Sequence, residues 1–350
     1  MAEPEVLHDD GARLGRRRGW LVVGAVLLLV VGLVVLRLGG SSPETSPGPT
    51  PPPAVPRTTT ADVWPDDLPA GALFLVANGL VTTTDTATGQ QATTTVVADS
   101  ARTALTGLGD GVLVWGDGGS TERVLPGGDR PAVPTRGELA RGTTFLPGAD
   151  GRVWAGRRDR PGALTWRLVD AAGRTSRSVE VDSSTVGDGN GGLLEVGEQG
   201  VRPLYPRSRR SWDAGEVVAT GPDGYVVRSC AEPDCRFTLH PHVGGAVSEL
   251  QTAVGKDTDG GALSPANALM AVRETVGGTT TVRVSVVATG EVKEIFPAPE
   301  RATGGPVWLD ERWLALVSEG RLVLYDTADE RIVTADLPAT NLGALAWQPA

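Results

Sequence analysis

One short signal returns along most of the chain. It stands at Asp110-Gly111, Asp150-Gly151, Asp188-Gly189 and Asp223-Gly224, and in weaker form at Ala266-Asn267 and Asp310-Glu311. The mean step is about 40 residues. Asp-Gly between short apolar runs turns a chain back on itself, because Gly accepts the positive φ that a tight hairpin needs. A turn recurring at this interval divides the chain into similar units, none of which can bury an apolar face alone. They must stack on one another.

Each unit is built of strands. Val and Thr are abundant, Gly and Pro number 47 and 26, and past residue 70 no helical periodicity is sustained for three turns. Residues 262–296 and 306–338 each read as strand, turn, apolar strand, turn, alternating strand, turn and final strand. Four-stranded units of this period predict an all-β fold, a β-propeller. The stretch 71–350 has room for about seven such blades, and six or eight also fit because the middle units are degenerate. The first unit, 71–99, lacks an opening strand, and the chain ends in LGALAWQPA (342–350), a strand with nothing after it. The C-terminal strand is therefore expected to complete the first blade from inside and close the ring without a free edge.

Residues 262–350 also resemble a known family. Leu263-Ser264-Pro265, Val287-Ala288-Thr289-Gly290, Trp308-Leu309-Asp310 and Tyr325-Asp326-Thr327, with Asp85-Thr86-Ala87-Thr88-Gly89 upstream, resemble the blade motifs of TolB-like and WD-repeat-like propellers. The Gly-His and Trp-Asp pairs of true WD repeats are missing. The whole layout looks like single-pass, membrane-anchored propeller proteins of GC-rich Gram-positive, actinobacterial type. The near absence of lysine, with Lys256 and Lys293 alone, agrees with a GC-rich genome. The resemblance implies a fold and carries no chemistry.

Ahead of the repeats lies an apolar run, Trp20–Leu38, with no charge before Arg37. As a helix its uncharged part spans roughly 25 Å, near the lower limit for a bilayer core. Arg13, Arg16, Arg17 and Arg18 precede it, so the positive-inside rule puts residues 1–19 in the cytoplasm and the rest outside. A cleaved signal peptide would have a shorter apolar core and an A-x-A site, which RLGGSSPE does not supply. The expectation is an uncleaved single-pass anchor (20–38) in the cell membrane. A Pro/Ser/Thr-rich linker (39–70) follows, then the extracytoplasmic domain (71–350). Such a linker favours extended polyproline II, and Trp64 marks the expected onset of order.

Cys230 and Cys235 are the only cysteines. Ala-Glu-Pro-Asp between them makes a turn, so in an oxidising compartment a disulfide across a hairpin is expected. A metal pair would need further ligands, and the spacing is not a redox C-x-x-C. His240 and His242, in TLHPHVGG, are expected at an exposed strand end or turn. With His8 they are the only histidines, and no G-x-S-x-G occurs, so neither a nucleophilic triad nor a metal site is assigned. Asp257-Thr258-Asp259-Gly260 and Asp188-Gly189-Asn190-Gly191 look like calcium loops but lack the closing Glu, and turn chemistry accounts for both. No cofactor and no catalytic residue is assigned.

From residue 71 the chain carries 26 Lys and Arg against 34 Asp and Glu. That balance argues against nucleic acid. Within it Arg157, Arg158 and Arg160, in GRRDRPGA, form a basic cluster expected on a loop. It shares the expected ligand-bearing face with the cysteine hairpin and suits an anionic envelope polymer. Arg207, Arg209 and Arg210 are expected on the opposite face. The reading is a non-catalytic binding, sensor or scaffold module for a protein or cell-envelope partner; the alternative is a hydrolase or lyase acting on glycan.

Overall fold

A computed structural model of the chain describes residues 64–350 except 97–102, 117–119, 128–129, 161–162, 207–211, 232–233, 252–257, 299–303 and 337–343. The apolar run Trp20–Leu38, the tail before it, the linker up to residue 63 and Arg207, Arg209 and Arg210 lie outside the described residues.

Strands follow one another in antiparallel meanders. The first holds β1 (Gly71–Ala77), β2 (Leu80–Asp85) and β3 (Gln91–Thr95). The second holds β4 (Thr103–Leu108), β5 (Gly111–Gly116), β6 (Thr121–Val124) and β7 (Val133–Pro134). The third holds β8 (Thr144–Pro147), β9 (Val153–Arg160), β10 (Ala163–Val169) and β11 (Thr175–Val181). The fourth holds β12 (Ser184–Gly187), β13 (Leu193–Gly197) and β14 (Gly200–Tyr205). The fifth holds β15 (Glu216–Gly221), β16 (Gly224–Ala231), β17 (Asp234–Pro241) and β18 (Ser248–Leu250). The sixth holds β19 (Thr258–Leu263), β20 (Leu269–Val276), β21 (Thr279–Val286) and β22 (Val292–Pro297). The seventh holds β23 (Val307–Trp308), β24 (Trp313–Ser318), β25 (Arg321–Asp326) and β26 (Arg331–Asp336). The last strand, β27 (Leu345–Pro349), returns to pair with β1, from Gly71↔Pro349 to Leu75↔Leu345. The expected closure by the C-terminus is thus present.

All six recurring turns fall between the first and second strands of their meanders. The hairpins between second and third strands include two-residue turns at Asn78-Gly79 and Glu319-Gly320, with positive φ at both positions. That geometry matches the right-handed twist of the flanking strands. Strands in the second position are buried almost throughout, as in Gly71–Ala77 and Trp313–Ser318, because both faces meet a neighbouring sheet. Outer strands are wet: five of the first six residues of β11 are exposed.

The core is divided between the sheets. Among the described residues each hydrophobic cluster joins one meander to the next. Phe74 and Val76 meet Val112 and Val114, Leu113 meets Phe145 and Val153, and Trp154 and Trp166 meet Leu193. Leu194 and Val201 meet Tyr225, Val226 meets Met270 and Val272, and Val284 meets Leu314 and Tyr325. Leu73 and Leu75, with Leu345, then meet Trp313 and Leu324, so the seventh meander packs on the first. Full burial of one such side chain contributes about 1.5–3 kcal/mol. Indole hydrogen bonds tie neighbours further, from Trp154 Nε1 to the Gly191 carbonyl at 2.9 Å and from Trp308 Nε1 to the Ala262 carbonyl at 3.0 Å.

Three expectations are revised. The fourth meander has three described strands and one isolated bridge, Val201↔Asp213, in place of a fourth; Pro203 and Pro206 remove ladder donors there. Residues 258–263 are strand β19 rather than turn, while the Asp188 loop is the expected turn, its Oδ1 accepting from Asn190 N and Gly192 N. His240 and His242 are not exposed. His240 is 2% exposed and stacks on Tyr225 at 5.1 Å, and the His242 side chain is 11% exposed. Aromatic packing at the seam between the fourth and fifth meanders draws both rings inward.

Candidate functional site

In an antiparallel meander the hairpin between second and third strands lies at one end, as does the connection to the next meander. The first and last turns lie at the other end. Three such features converge between the third and fourth meanders. They are the β9–β10 hairpin, the β11–β12 connection at Asp182-Ser183, and the two-residue β13–β14 turn at Glu198-Gln199. They enclose a cleft of about 750 Å³ whose floor is apolar, with Leu146, Leu164 and Val196. Its rim carries Arg158, Asp182 and Glu198, all exposed, and the hydroxyls of Thr144, Ser183, Ser184 and Thr185.

A polar network sets the rim. Ser183 Oγ donates to Glu195 Oε1 at 2.6 Å, and Arg202 Nε donates to Glu195 Oε2 at 2.7 Å. Arg202 in turn lies over the Trp212 ring at 4.4 Å. Burial alone would raise the Glu195 pKa, but the Ser183 and Arg202 hydrogen bonds outweigh it and hold the carboxyl below its ordinary value. With its proton committed to Glu195, Ser183 offers the cleft only acceptor lone pairs. Trp166 and Thr185, two residues of the cleft wall, each keep a polar atom inside it without a hydrogen bond, Nε1 and Oγ1. Trp166 itself is 2% exposed.

The arginines singled out by the sequence sit on strand β9 at its hairpin end, not in a loop. Arg157 Nε lies 3.1 Å from Asp159 Oδ1, and Arg167 Nη2 donates to Asp159 Oδ2 at 2.6 Å. That hydrogen bond from Arg167 holds the Asp159 carboxyl low. Arg158 alone of the three is shown lining the cleft, and the Arg160 side chain lies outside what is described. Cys230 and Cys235 form the expected disulfide, directly opposite each other in the β16–β17 hairpin. Sequence reasoning missed Trp166, Asp182, Ser183, Thr185 and Glu198. Only their convergence across two sheets marks them.

A second polar cluster lies at the opposite end of the seventh meander. Asp326, fully buried, accepts from Arg312 Nε at 2.7 Å and Nη2 at 2.6 Å, and from the backbone of Ala328. Burial would raise its pKa, but Arg312 and the backbone donors outweigh this and lower it. Arg312 and Arg331 also reach Asp67, and both lie near the Trp313 ring. Trp64 Nε1 donates to the Thr86 carbonyl at 2.7 Å, and Leu68 joins the closing core. The end of the expected linker is therefore built into the seam between last and first meanders. A separate groove of about 640 Å³ lies at this end, walled in part by Asp85, Asp110 and Ala350. Among the described residues no His, Cys, Asp and Glu group is arranged to hold a metal ion, and no helix is long and apolar enough to cross a membrane.

No protein-family model matches the chain, and no curated protein matches it. Solved structures similar to it include TolB from Acinetobacter baumannii, at 14% identity and TM-score 0.43, covering 80% of this chain and 67% of that one. Another is a functionally unknown protein from Desulfotomaculum acetoxidans, at 13% identity and TM-score 0.49, covering 80% of this chain and 100% of that one. A third, from a nidogen/laminin complex, has 9% identity and TM-score 0.40, covering 79% and 97%. These likenesses concern the fold alone and bear on neither ligand nor activity.

Proposed function

We propose that this chain is a membrane-anchored, extracytoplasmic β-propeller of seven blades that acts as a non-catalytic binding module for a cell-envelope or protein ligand. The blade number is supported by apolar clusters that join each meander to the next and the seventh to the first. The anchor is supported by the apolar run Trp20–Leu38 and the arginines before it. The observation that carries the function is the cleft: it has an apolar floor with Leu146, Leu164 and Val196 and a polar rim with Arg158, Asp182 and Glu198. Among the described residues the carboxyls with displaced pKa, Asp159, Asp170, Glu195 and Asp326, are all lowered, whereas a general acid needs a raised one, so none of these four suits that role.

Two experiments test this. In intact cells, mild reduction followed by a membrane-impermeant thiol reagent labels Cys230 and Cys235 if the domain lies outside; labelling only after lysis would refute that placement. A diazirine amino acid at Glu198, with one at Asp110 as control, tests the cleft in the full chain in its membrane. A discrete adduct, of protein or glycan, is expected from Glu198 and not from Asp110. The same adducts from both positions, or none from either, would overturn the cleft as the binding site.

A further inference from the structure

We propose that residues 57–62, the end of the linker just before Trp64, add to the outer edge of the first meander as a fifth strand, antiparallel to β3. The inference is independent of the cleft and starts from that edge. Asp85 N donates to the Gln90 carbonyl and Val96 N to the Gly79 carbonyl, both at 2.9 Å, and this fixes the alternation along the pair. Ala92 and Thr94 bond to β2, so Gln91, Thr93 and Thr95 turn their N–H and C=O groups outward. Among the described residues no strand pairs with β3 on that side. An open edge invites pairing with another segment, and proteins blunt their edges with charge or proline. The outer strands of the other meanders carry such residues: Pro134 in β7, Arg177 in β11, Pro203 in β14, Glu249 in β18, Lys293 in β22 and Arg331 in β26. β3 reads Gln-Ala-Thr-Thr-Thr and has neither.

The occupant follows from where the described chain begins. Trp64 Nε1 donates to the Thr86 carbonyl, and a Cβ on Gly89 would stand 2.7 Å from Trp64 Cγ, so Trp64 sits against the turn that leads into β3. The residues before it therefore start where the open edge starts, and the covalent tether gives them an effective concentration that a separate partner lacks. Their sequence suits the place. Residues 43–56 hold seven prolines and residues 57–63 hold none, so every backbone donor is present where pairing needs it. Thr58, Thr59 and Thr60 are β-branched, and Thr facing Thr across strands is a favourable pair. Continuing from Trp64 against Gly89, an antiparallel register sets Asp62 opposite Gln91, Thr60 opposite Thr93 and Thr58 opposite Thr95. All three outward residues of β3 are then met, and Pro56, which has no N–H, falls just past the end of the strand. Because β3 runs towards the hairpin end, the linker leaves the domain there, at the end that carries the cleft.

Amide hydrogen exchange of the full chain, in lipid nanodiscs holding one copy each, tests this. The amides of Thr58 and Thr60 are expected to exchange about tenfold or more slowly than those of Thr45 and Ser46 in the same linker. Thr60→Pro removes one donor from the added strand. It should return Thr58 to the Thr45 rate and speed Thr93 and Thr95 by about the same factor. Thr45→Pro should change none of them, and unchanged protection at Phe74 and Val76 in β1 shows that the sheet itself is intact in each variant. Exchange of Thr58 and Thr60 at the Thr45 rate in the unaltered chain would overturn the inference. So would protection of Thr93 and Thr95 that Thr60→Pro leaves in place, since something else would then cover the edge. Protection that appears only in discs holding two copies would assign the edge to a second copy of this chain and would equally overturn it.

Discussion

Replacing Asp326 by Asn tests the seam where the chain closes on itself. The carboxylate is fully buried and receives Arg312 through two hydrogen bonds, at 2.7 and 2.6 Å. Hydrogen bonds to a charged group are each worth about 1.5–3 kcal/mol, so the gross loss is about 3–6 kcal/mol. Part is recovered. The Arg312 side chain is 35% exposed and keeps Asp67 at 3.0 Å and Asp329 at 2.7 Å, and the Asn carbonyl can still accept from the Ala328 backbone. Discounting by about half for solvent and these partners leaves a destabilisation of about 2–3 kcal/mol. That is a large share of the about 5–15 kcal/mol that holds a typical domain folded.

The sign with pH follows from the lowered Asp326 pKa. A carboxyl lowered on folding stabilises above its unfolded pKa, about 3.9. That contribution is lost as pH falls through the depressed folded value. The difference between wild type and Asp326→Asn should therefore be full at pH 7 and close on acidification below about pH 4. Denaturant titration of the full chain in detergent, following Trp fluorescence, measures it as a midpoint shift at constant slope. A difference under about 0.5 kcal/mol at pH 7, the range of ordinary surface substitutions, would refute the reasoning. So would a difference that persists unchanged to pH 2. Asp67→Asn shares Arg312 with Asp326, so the two substitutions should be non-additive by about 0.5 kcal/mol or more.

Two further outcomes are expected. Cys230→Ser with Cys235→Ser should cost about 2 kcal/mol on the chain-entropy estimate for so small a ring. Faster amide exchange should be confined to the β16–β17 hairpin; loosening of all sheets together would show that the bridge holds more than that hairpin. Truncation after residue 343 removes β27, with its pairing to β1 and the Gln348 Nε2 bond of 2.8 Å to the Gly109 carbonyl. The thermal transition should lose its single cooperative step, and an unchanged midpoint would show that the ring does not depend on this strand.

The sequence alone carried the periodicity, and with it the sheets. Asp-Gly pairs mark first turns because the conformational demand of a tight turn is local, met by Gly wherever it stands. Continuous apolar runs such as Trp313–Ser318 mark strands buried on both faces for the same local reason. The opening strand missing near residue 71 and the unclaimed one at the terminus together announced the closure that β27 makes. The cleft was not legible in this way. Arg158 was visible as part of a charge run, but Trp166, Asp182 and Glu198 lie on separate segments. Their pattern is that of ordinary strand and turn residues. Nor could spacing reveal that Asp67 reaches Arg312 and Arg331 at the seam between the last and first meanders, or that Tyr225 stacking buries His240. Local geometry sets strands and turns, so the chain order encodes them. Which side chains share a cleft, an ion-pair cluster or a seam is set by packing between sheets, and only the folded ring brings those residues together.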